Sequence, residues 1–183
     1  SVEVSNGSIN NYSMYFDGND DYVQINHSEL FQNTEQGFTI QFDLYPYNFN
    51  DPSTPTADYL IWKIDESAGD GANGKGFDIG FNNTGLFFRY HPGPNSPSGI
   101  VVHIDQEALS LNNFSHISFV TSESHLLAYV NGVLVSSEDL PSYYFEMDFG
   151  ISDIYIGKPL YPASGYIAPA QAQIDNLQIW NRG

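Results

Sequence analysis

The chain of 183 residues carries 22 Asp and Glu but only 5 Lys and Arg, a formal net charge of −17. This charge excludes nucleic acid and anionic membrane surfaces as partners, because both are bound through clustered cations. The chain has no cysteine, which excludes disulfides, thiolate zinc sites and cysteine nucleophiles, and its 13 Tyr, 13 Phe, 16 Gly and 10 Pro favour strands and turns in a single domain over residues 1–183.

Apolar and polar residues alternate with a period of two along most of the chain, which indicates strands with one buried face. Only short pieces around 28–32 and 105–110 tolerate a helix. In chain order, the predicted strands are 13–17, 21–25, 38–44, 58–64, 76–81, 85–91, 99–104, 114–121, 125–130, 133–136, 152–157 and 172–180. About a dozen short strands joined by turns predict an all-β fold of two antiparallel sheets packed face to face.

The turn signals between the strands are clearest at Asn131-Gly132, which separates "HLLAYV" from "VLVSS". A two-residue type I′ turn needs positive φ at both positions, which Asn and Gly adopt most readily, so the pair predicts a hairpin. The apolar runs are far shorter than the roughly 18 residues of a membrane-spanning helix, which argues against membrane insertion.

Three stretches in this order resemble the laminin G-like branch of the concanavalin A-like lectin/glucanase superfamily. They are "SMYFDGNDDYVQI", "HISFVTSESHLLAYVNGVLVSS" and "IYIGKPLYPASGYIAPAQAQIDNLQIWNRG". The resemblance implies an antiparallel jelly-roll sandwich of roughly 12 to 14 strands, with the first and last strands side by side. It also implies a binding module of a larger secreted protein, in a family that often carries calcium.

The segment "FDGNDDYV" at 16–23 is a candidate metal loop, although its order of residues does not match an EF-hand. Strand parity predicts that Asp21 and Asp175 point towards the buried side, where an unpaired charge is costly. A structural calcium held by Asp17, Asn19, Asp21 and Asp175 would neutralise them. The alternative is that these carboxylates accept backbone N–H groups in tight turns.

The middle strands predict a ligand-binding face. If Leu60, Trp62 and Ile64 face the core, together with alternate residues of the next strands, then a polar set faces outward. Its members are Lys63, Asp78, Arg89, His91 and His103, accompanied by Phe87. Arg donors and aromatic rings suit sugars, whereas the alternative is a cross-strand ladder of opposite charges.

Aromatic residues in the predicted rim loops are further candidates for contact with a carbohydrate or a protein, because a Tyr ring buries area while its hydroxyl stays in water. Packing against the edge of the sandwich is the alternative. They are Tyr45, Tyr47, Phe49, Tyr143, Tyr144, Tyr161 and Tyr166.

The glucanase pattern Glu-x-Asp-x-x-Glu does not occur, so the chain is not expected to be an enzyme. The leading hypothesis is a non-catalytic, calcium-stabilised carbohydrate-binding or adhesion module that is secreted or at the cell surface. Its partners would be a glycan or cell-surface ligand and other domains of the same parent chain, because the start at Ser1 suggests a piece of a longer protein. Alternatives are a spacer or protein-binding domain without a sugar site, and a glycan hydrolase with an unrecognised active site.

Overall fold

A computed structural model describes residues 12–29, 37–49, 57–65, 74–93, 99–122, 124–141, 149–158 and 167–181. This part of the chain holds thirteen strands and one short 3₁₀ helix, Gln106–Ala108, which falls inside one of the two helix-tolerant pieces. No helix in the described ranges has the length and apolar character needed to cross a membrane.

The strands follow the alternating segments of the sequence closely. They are β1 (Met14–Asp17), β2 (Val23–Ile25), β3 (Phe38–Pro46), β4 (Ala57–Asp65), β5 (Lys75–Asn82), β6 (Gly85–Pro92), β7 (Ile100–Asp105), β8 (Ser115–Thr121), β9 (His125–Val130), β10 (Val133–Asp139), β11 (Ile154–Ile156), β12 (Ile167–Pro169) and β13 (Gln171–Asn181). Each predicted strand is present, and β12 is the addition.

The strands form two sheets. The first sheet has the order β1-β13-β3-β8-β9-β10, and the second has the order β2-β11-β4-β5-β6-β7, with β12 beside β4. All pairings are antiparallel except that of β12 with β4. The expected pairing of the first strand with the last is confirmed, because Met14 of β1 lies opposite Ile174 of β13.

The core lies between the sheets and is rich in aromatic rings. Alternate residues of β3, from Phe38 to Leu44, are fully buried, as the period-two pattern predicted. The ring of Phe38 lies 5.5 Å from that of Phe77 on β5 and 4.6 Å from that of Phe149. These contacts join the two sheets, because the inward-facing apolar residues of both sheets pack against each other in the core.

The predicted hairpin at Asn131-Gly132 joins β9 to β10. Both residues have positive φ, 51° and 77°, as the type I′ turn requires. The side chain of Asn131 also accepts a hydrogen bond from the backbone N–H of His116 at 2.9 Å. The turn therefore also connects the hairpin to β8.

Candidate functional site

The candidate calcium loop is a tight turn closed by its own carboxylates. Gly18 has a φ of +81°, and the backbone N–H of Asn19 donates to Oδ1 of Asp17 at 2.8 Å. The N–H of Asp17 donates to Oδ2 of Asp21 at 3.3 Å. These contacts match the alternative predicted for this segment, in which the carboxylates are satisfied by backbone groups.

The prediction that Asp21 points into the core is wrong, because this residue is exposed. The strand β2 begins only at Val23, and its three residues are all exposed. This strand lies at the edge of the second sheet, where β11 is its neighbour among the described strands. A buried face therefore does not extend back to Asp21.

Asp175 lies away from the loop, and the prediction that it points into the core is wrong, because it pairs with Asp43 on the outer side and the irregularity before Gln178 changes the parity of β13. Asp17 faces Gln171 on β13, whereas Asp175 is four residues further along and faces Asp43, a separation of about 14 Å along the strand. The structure does not bring the four predicted ligands together, and the described residues contain no group of three or more His, Asp or Glu that could hold a metal. Calcium itself stays a prediction.

Lys63 does not lie on the predicted ligand-binding face. A bulge between Tyr59 and Ile61 shifts the parity of β4, so that Lys63 pairs with the core residue Phe77. Its side chain is fully buried, and Nζ donates to the carbonyl oxygen of Ser152 at 2.6 Å. The same shift turns Trp62 and Ile64 to the outer side, where they were predicted to be core residues.

Asp78, Arg89 and His91 do come together on the outer side of the second sheet. Nη2 of Arg89 donates to Oδ2 of Asp78 at 2.9 Å and to Oη of Tyr59 at 2.9 Å. Nε2 of His91 lies 2.6 Å from the same carboxylate oxygen. Burial lowers the pKa of the Arg89 guanidinium, but the charge of Asp78 and the hydrogen bonds to Asp78 and Tyr59 outweigh this effect, so that the pKa is raised.

This cluster is closed rather than open. The side chain of Asp78 is 0% exposed and that of Arg89 is 33% exposed, while the rings of Tyr59, Trp62 and Phe87 are buried against each other. Oδ1 of Asp78 and Nε1 of Trp62 are buried without hydrogen-bond partners. The cluster therefore has the features of a structural network, and its role in binding a ligand stays a prediction. The half-buried His103 lies beside it, with its ring 6.3 Å from that of Phe87.

An open face lies on the outer side of the first sheet. Four rings follow one another across its strands in the order Tyr15, Tyr47, Tyr45 and Phe114, and we refer to them as the aromatic row. The successive centroid distances are 5.5, 5.1 and 5.2 Å, and neighbouring rings stand at 60° to 89° to each other. Tyr15 is 49% exposed and Phe114 44% exposed.

Glutamine side chains hold the tyrosines of the aromatic row in place. Gln173 donates to the hydroxyl of Tyr47 and accepts a hydrogen bond from Oγ of Ser13 at 2.6 Å. Gln171 donates to the hydroxyl of Tyr15 at 3.4 Å. These hydrogen bonds hold two of the four rings, those of Tyr15 and Tyr47, and an ordered ring would lower the entropic cost of binding a ligand.

A polar cluster borders the aromatic row one step along the same strands. Asp43 lies two residues from Tyr45 on β3, and its Oδ1 lies 2.7 Å from Nδ1 of His116. Its Oδ2 accepts a hydrogen bond from Nδ2 of Asn176 at 2.7 Å, and Asp175 lies directly opposite Asp43. Rings and hydrogen-bonding groups therefore share one partly exposed surface.

The polar cluster includes a contact that resembles part of a catalytic triad. Nε2 of His116 lies 3.5 Å from Oγ of Ser118, while Nδ1 contacts Asp43. However, β8 is paired on both sides, by β3 and β9, so the N–H groups around Ser118 belong to the sheet ladders. An oxyanion hole needs free donors beside the nucleophile, so this contact does not form a hydrolytic site in the described residues.

The sequence predicted half of the aromatic row. Tyr45 and Tyr47 were candidates, whereas Tyr15 and Phe114 were not recognised, although both alternate with inward residues of their strands. Phe49 instead packs against the core, with its ring 5.9 Å from that of Phe81. The other four candidates lie outside the described residues, at 143, 144, 161 and 166.

Comparison with known proteins agrees with this architecture. A laminin G family of the concanavalin A-like lectin/glucanases superfamily matches residues 17–183. The two-sheet sandwich therefore defines a laminin G-like, concanavalin A-like domain. The chain belongs to this family, and no curated protein matches it by sequence.

Several solved structures are similar in fold. Botulinum neurotoxin type C, whose uptake into cells depends on interaction with two ganglioside molecules, has a TM-score of 0.66 at 14% identity over 95% of this chain. The binding domain of botulinum neurotoxin DC in complex with rat synaptotagmin II has a TM-score of 0.65 at 15% identity, also over 95%. Domains LG4-5 of the mouse laminin alpha1 chain have a TM-score of 0.60 at 13% identity over 91%. The chain spans 40% of each of these proteins.

Proposed function

We propose that this domain is a non-catalytic carbohydrate-binding module of a secreted or cell-surface protein. The observation that carries the proposal is the aromatic row, a set of ordered and partly exposed rings with hydrogen-bonding side chains beside it. A sugar ring presents an apolar C–H face and several hydroxyl groups. Partly exposed aromatic area and fixed polar groups together match both parts of such a ligand.

The similar structures support a binding role. The type C toxin interacts with gangliosides and the DC binding domain was solved with a synaptotagmin, so sandwiches of this fold occur in proteins that contact cell-surface molecules. Function depends on sites rather than on the fold, and the similarity covers less than half of those proteins. The argument therefore rests on the residues of the aromatic row.

Affinity electrophoresis through gels that contain soluble polysaccharides tests this proposal. We expect at least one polysaccharide to retard the protein, and Phe114→Ala to abolish most of the retardation. Trp180→Ala is the matched control, because Trp180 is an exposed aromatic residue (38%) of the same face. It lies on β13 opposite Thr39, and Thr39 is about 20 Å from Tyr45 along β3. Migration unaffected by every polysaccharide would contradict the proposal, and release of reducing sugar would contradict its non-catalytic part.

We further propose that a structural calcium ion binds at the loop that carries Asp17, Asn19 and Asp21, without Asp175, which lies about 14 Å away along β13. An ion that binds only to the folded state stabilises that state, so calcium should raise the melting temperature and EDTA should lower it. The response should disappear in Asp17→Asn/Asp21→Asn and persist in Asp175→Asn. A melting temperature indifferent to both additives contradicts calcium binding.

A further inference from the structure

The charges around the aromatic row narrow the class of ligand. We propose that this face binds uncharged polysaccharides and rejects glycans that carry carboxylate or sulfate groups. This inference rests on the proposed function, since it concerns the same surface. It adds a selectivity that neither the fold nor the similar structures indicate.

The Lys and Arg residues that the structure describes lie elsewhere. Four of the chain's five Lys and Arg residues belong to the second sheet or follow it directly, and the fifth, Arg182, lies outside the described residues. The four are Lys63 on β4, Lys75 on β5, Arg89 on β6 and Lys158 after β11. Within the described ranges, no Lys or Arg borders the aromatic row, so an acidic sugar would find no permanent cation there.

Carboxylates border the row instead. Asp43 and Asp175 face each other across β3 and β13, next to the positions of Tyr45 and Gln173. Asp43 has one contact from His116 and one from Asn176, and Oδ1 of Asp175 accepts the N–H of Asn176 at 2.7 Å. An ionised carboxyl group offers about four acceptor sites, so both retain sites for sugar hydroxyls.

The same two groups discriminate against anions. A carboxylate or sulfate placed over this face would meet like charge at close range, in a chain whose net charge is −17. Like-charge juxtaposition of this kind excludes wrong partners more than it strengthens right ones. A hydroxyl at the same place would instead donate a charge-assisted hydrogen bond.

The geometry of the row suits a chain of sugars rather than a single one. Tyr15 lies on β1, Tyr45 lies near the end of β3 with Tyr47 directly after it, and Phe114 lies just before β8. Each step of 5.1 to 5.5 Å between ring centroids is about the length of one pyranose ring. Because neighbouring rings are tilted by 60° or more, successive sugars would meet faces and edges in turn. Several weak contacts along one polymer then add up to a measurable affinity.

The test compares polysaccharides that share a backbone and differ in charge. The probes are hydroxyethyl cellulose against carboxymethyl cellulose, and dextran against dextran sulfate, titrated into the protein by calorimetry. We expect the protein to bind at least one uncharged member, and to bind its acidic counterpart with an affinity lower by about tenfold or more. The affinity for the uncharged member should depend little on salt concentration. Tyr15→Ala and Phe114→Ala should each weaken binding of the uncharged member by about tenfold, and Trp180→Ala should not.

The outcomes separate the two proposals. Equal or tighter binding of the acidic member that is lost in Tyr15→Ala would overturn the charge selectivity and leave the carbohydrate site standing. Binding of the uncharged member that survives both substitutions, in variants with unchanged melting temperatures, would overturn the site. If neither member of either pair binds and no polysaccharide retards the protein in gels, the proposed function fails, and the selectivity fails with it.

Discussion

Asp78 was predicted to face a ligand at the protein surface, but its surroundings are those of a buried residue. It is fully buried, and Arg89 and His91 contact the same carboxylate oxygen. A buried charge without a partner lowers the stability of a protein far more than an ion pair at the surface raises it. This explains why one of the few cations in the chain is placed here, and we expect Arg89 to contribute to stability.

Arg89→Ala should therefore lower the free energy of unfolding by about 2–4 kcal/mol, measured by urea denaturation, because it leaves the Asp78 carboxylate with His91 as its main partner. The double variant Asp78→Asn/Arg89→Met should cost less than Arg89→Ala alone, since the cluster then no longer contains a buried carboxylate. Loss of carbohydrate binding in a fully stable Arg89→Ala protein would instead support the ligand role predicted from the sequence.

Asp58 should make stability depend on pH. Burial raises the pKa of its carboxyl group from 3.8 to about 6 in the folded protein. The protonated carboxyl group therefore contributes to the stability of the fold. This contribution is fully present below the unfolded pKa of 3.8 and is lost as pH rises through about 6, where the buried group ionises. Asp58→Asn should raise the melting temperature near neutral pH and leave it almost unchanged near about pH 4. The same gain at both pH values would contradict this explanation.

At the scale of elements, two glycines with positive φ differ in what surrounds them. At Gly85, which starts β6 with a φ of +147°, an added Cβ would lie 2.1 Å from the carbonyl oxygen of Ile104. At Gly132 in the β9–β10 turn, with a φ of +77°, nothing lies within 4 Å of that position. The first position combines strain with a backbone clash, and the second has strain alone.

Gly132→Ala should cost about 1 kcal/mol, and Gly85→Ala about 3 kcal/mol or more, in the free energy of unfolding. The two substitutions add the same methyl group, so each serves as the control of the other. Equal costs would show that β6 and β7 can move apart at Gly85 without penalty.

Strands and their pairing could be predicted because alternation and turn residues are local signals. The alternation of β3 and the Asn131-Gly132 turn were read correctly for this reason. A bulge has no comparable signal in the sequence. The bulge between Tyr59 and Ile61 was therefore not predicted, and the predicted orientations of Lys63 and Trp62 were wrong. The aromatic row was half missed because its members come from β1, β3 and the start of β8, and only the fold makes them neighbours.

At the scale of the whole molecule, the two outer faces of the sandwich differ. The second sheet covers its outer side with a buried network of aromatic and charged residues, whereas the first sheet leaves ordered rings partly exposed. Exposed apolar groups that are held in place commonly mark a binding surface. The family membership accounts for the sandwich, and this difference between its faces is the reason why we propose the binding surface on the first sheet.

The most direct measurement is an NMR titration of the labelled domain with the oligosaccharide of an uncharged polysaccharide that retards it in gels. We predict that chemical shifts change at Tyr15, Tyr45, Tyr47 and Phe114 and at the side-chain amide of Gln173, with the signals of Arg89 unchanged. Shifts that map to Arg89, His91 and His103 instead, with the aromatic row silent, would contradict the central claim.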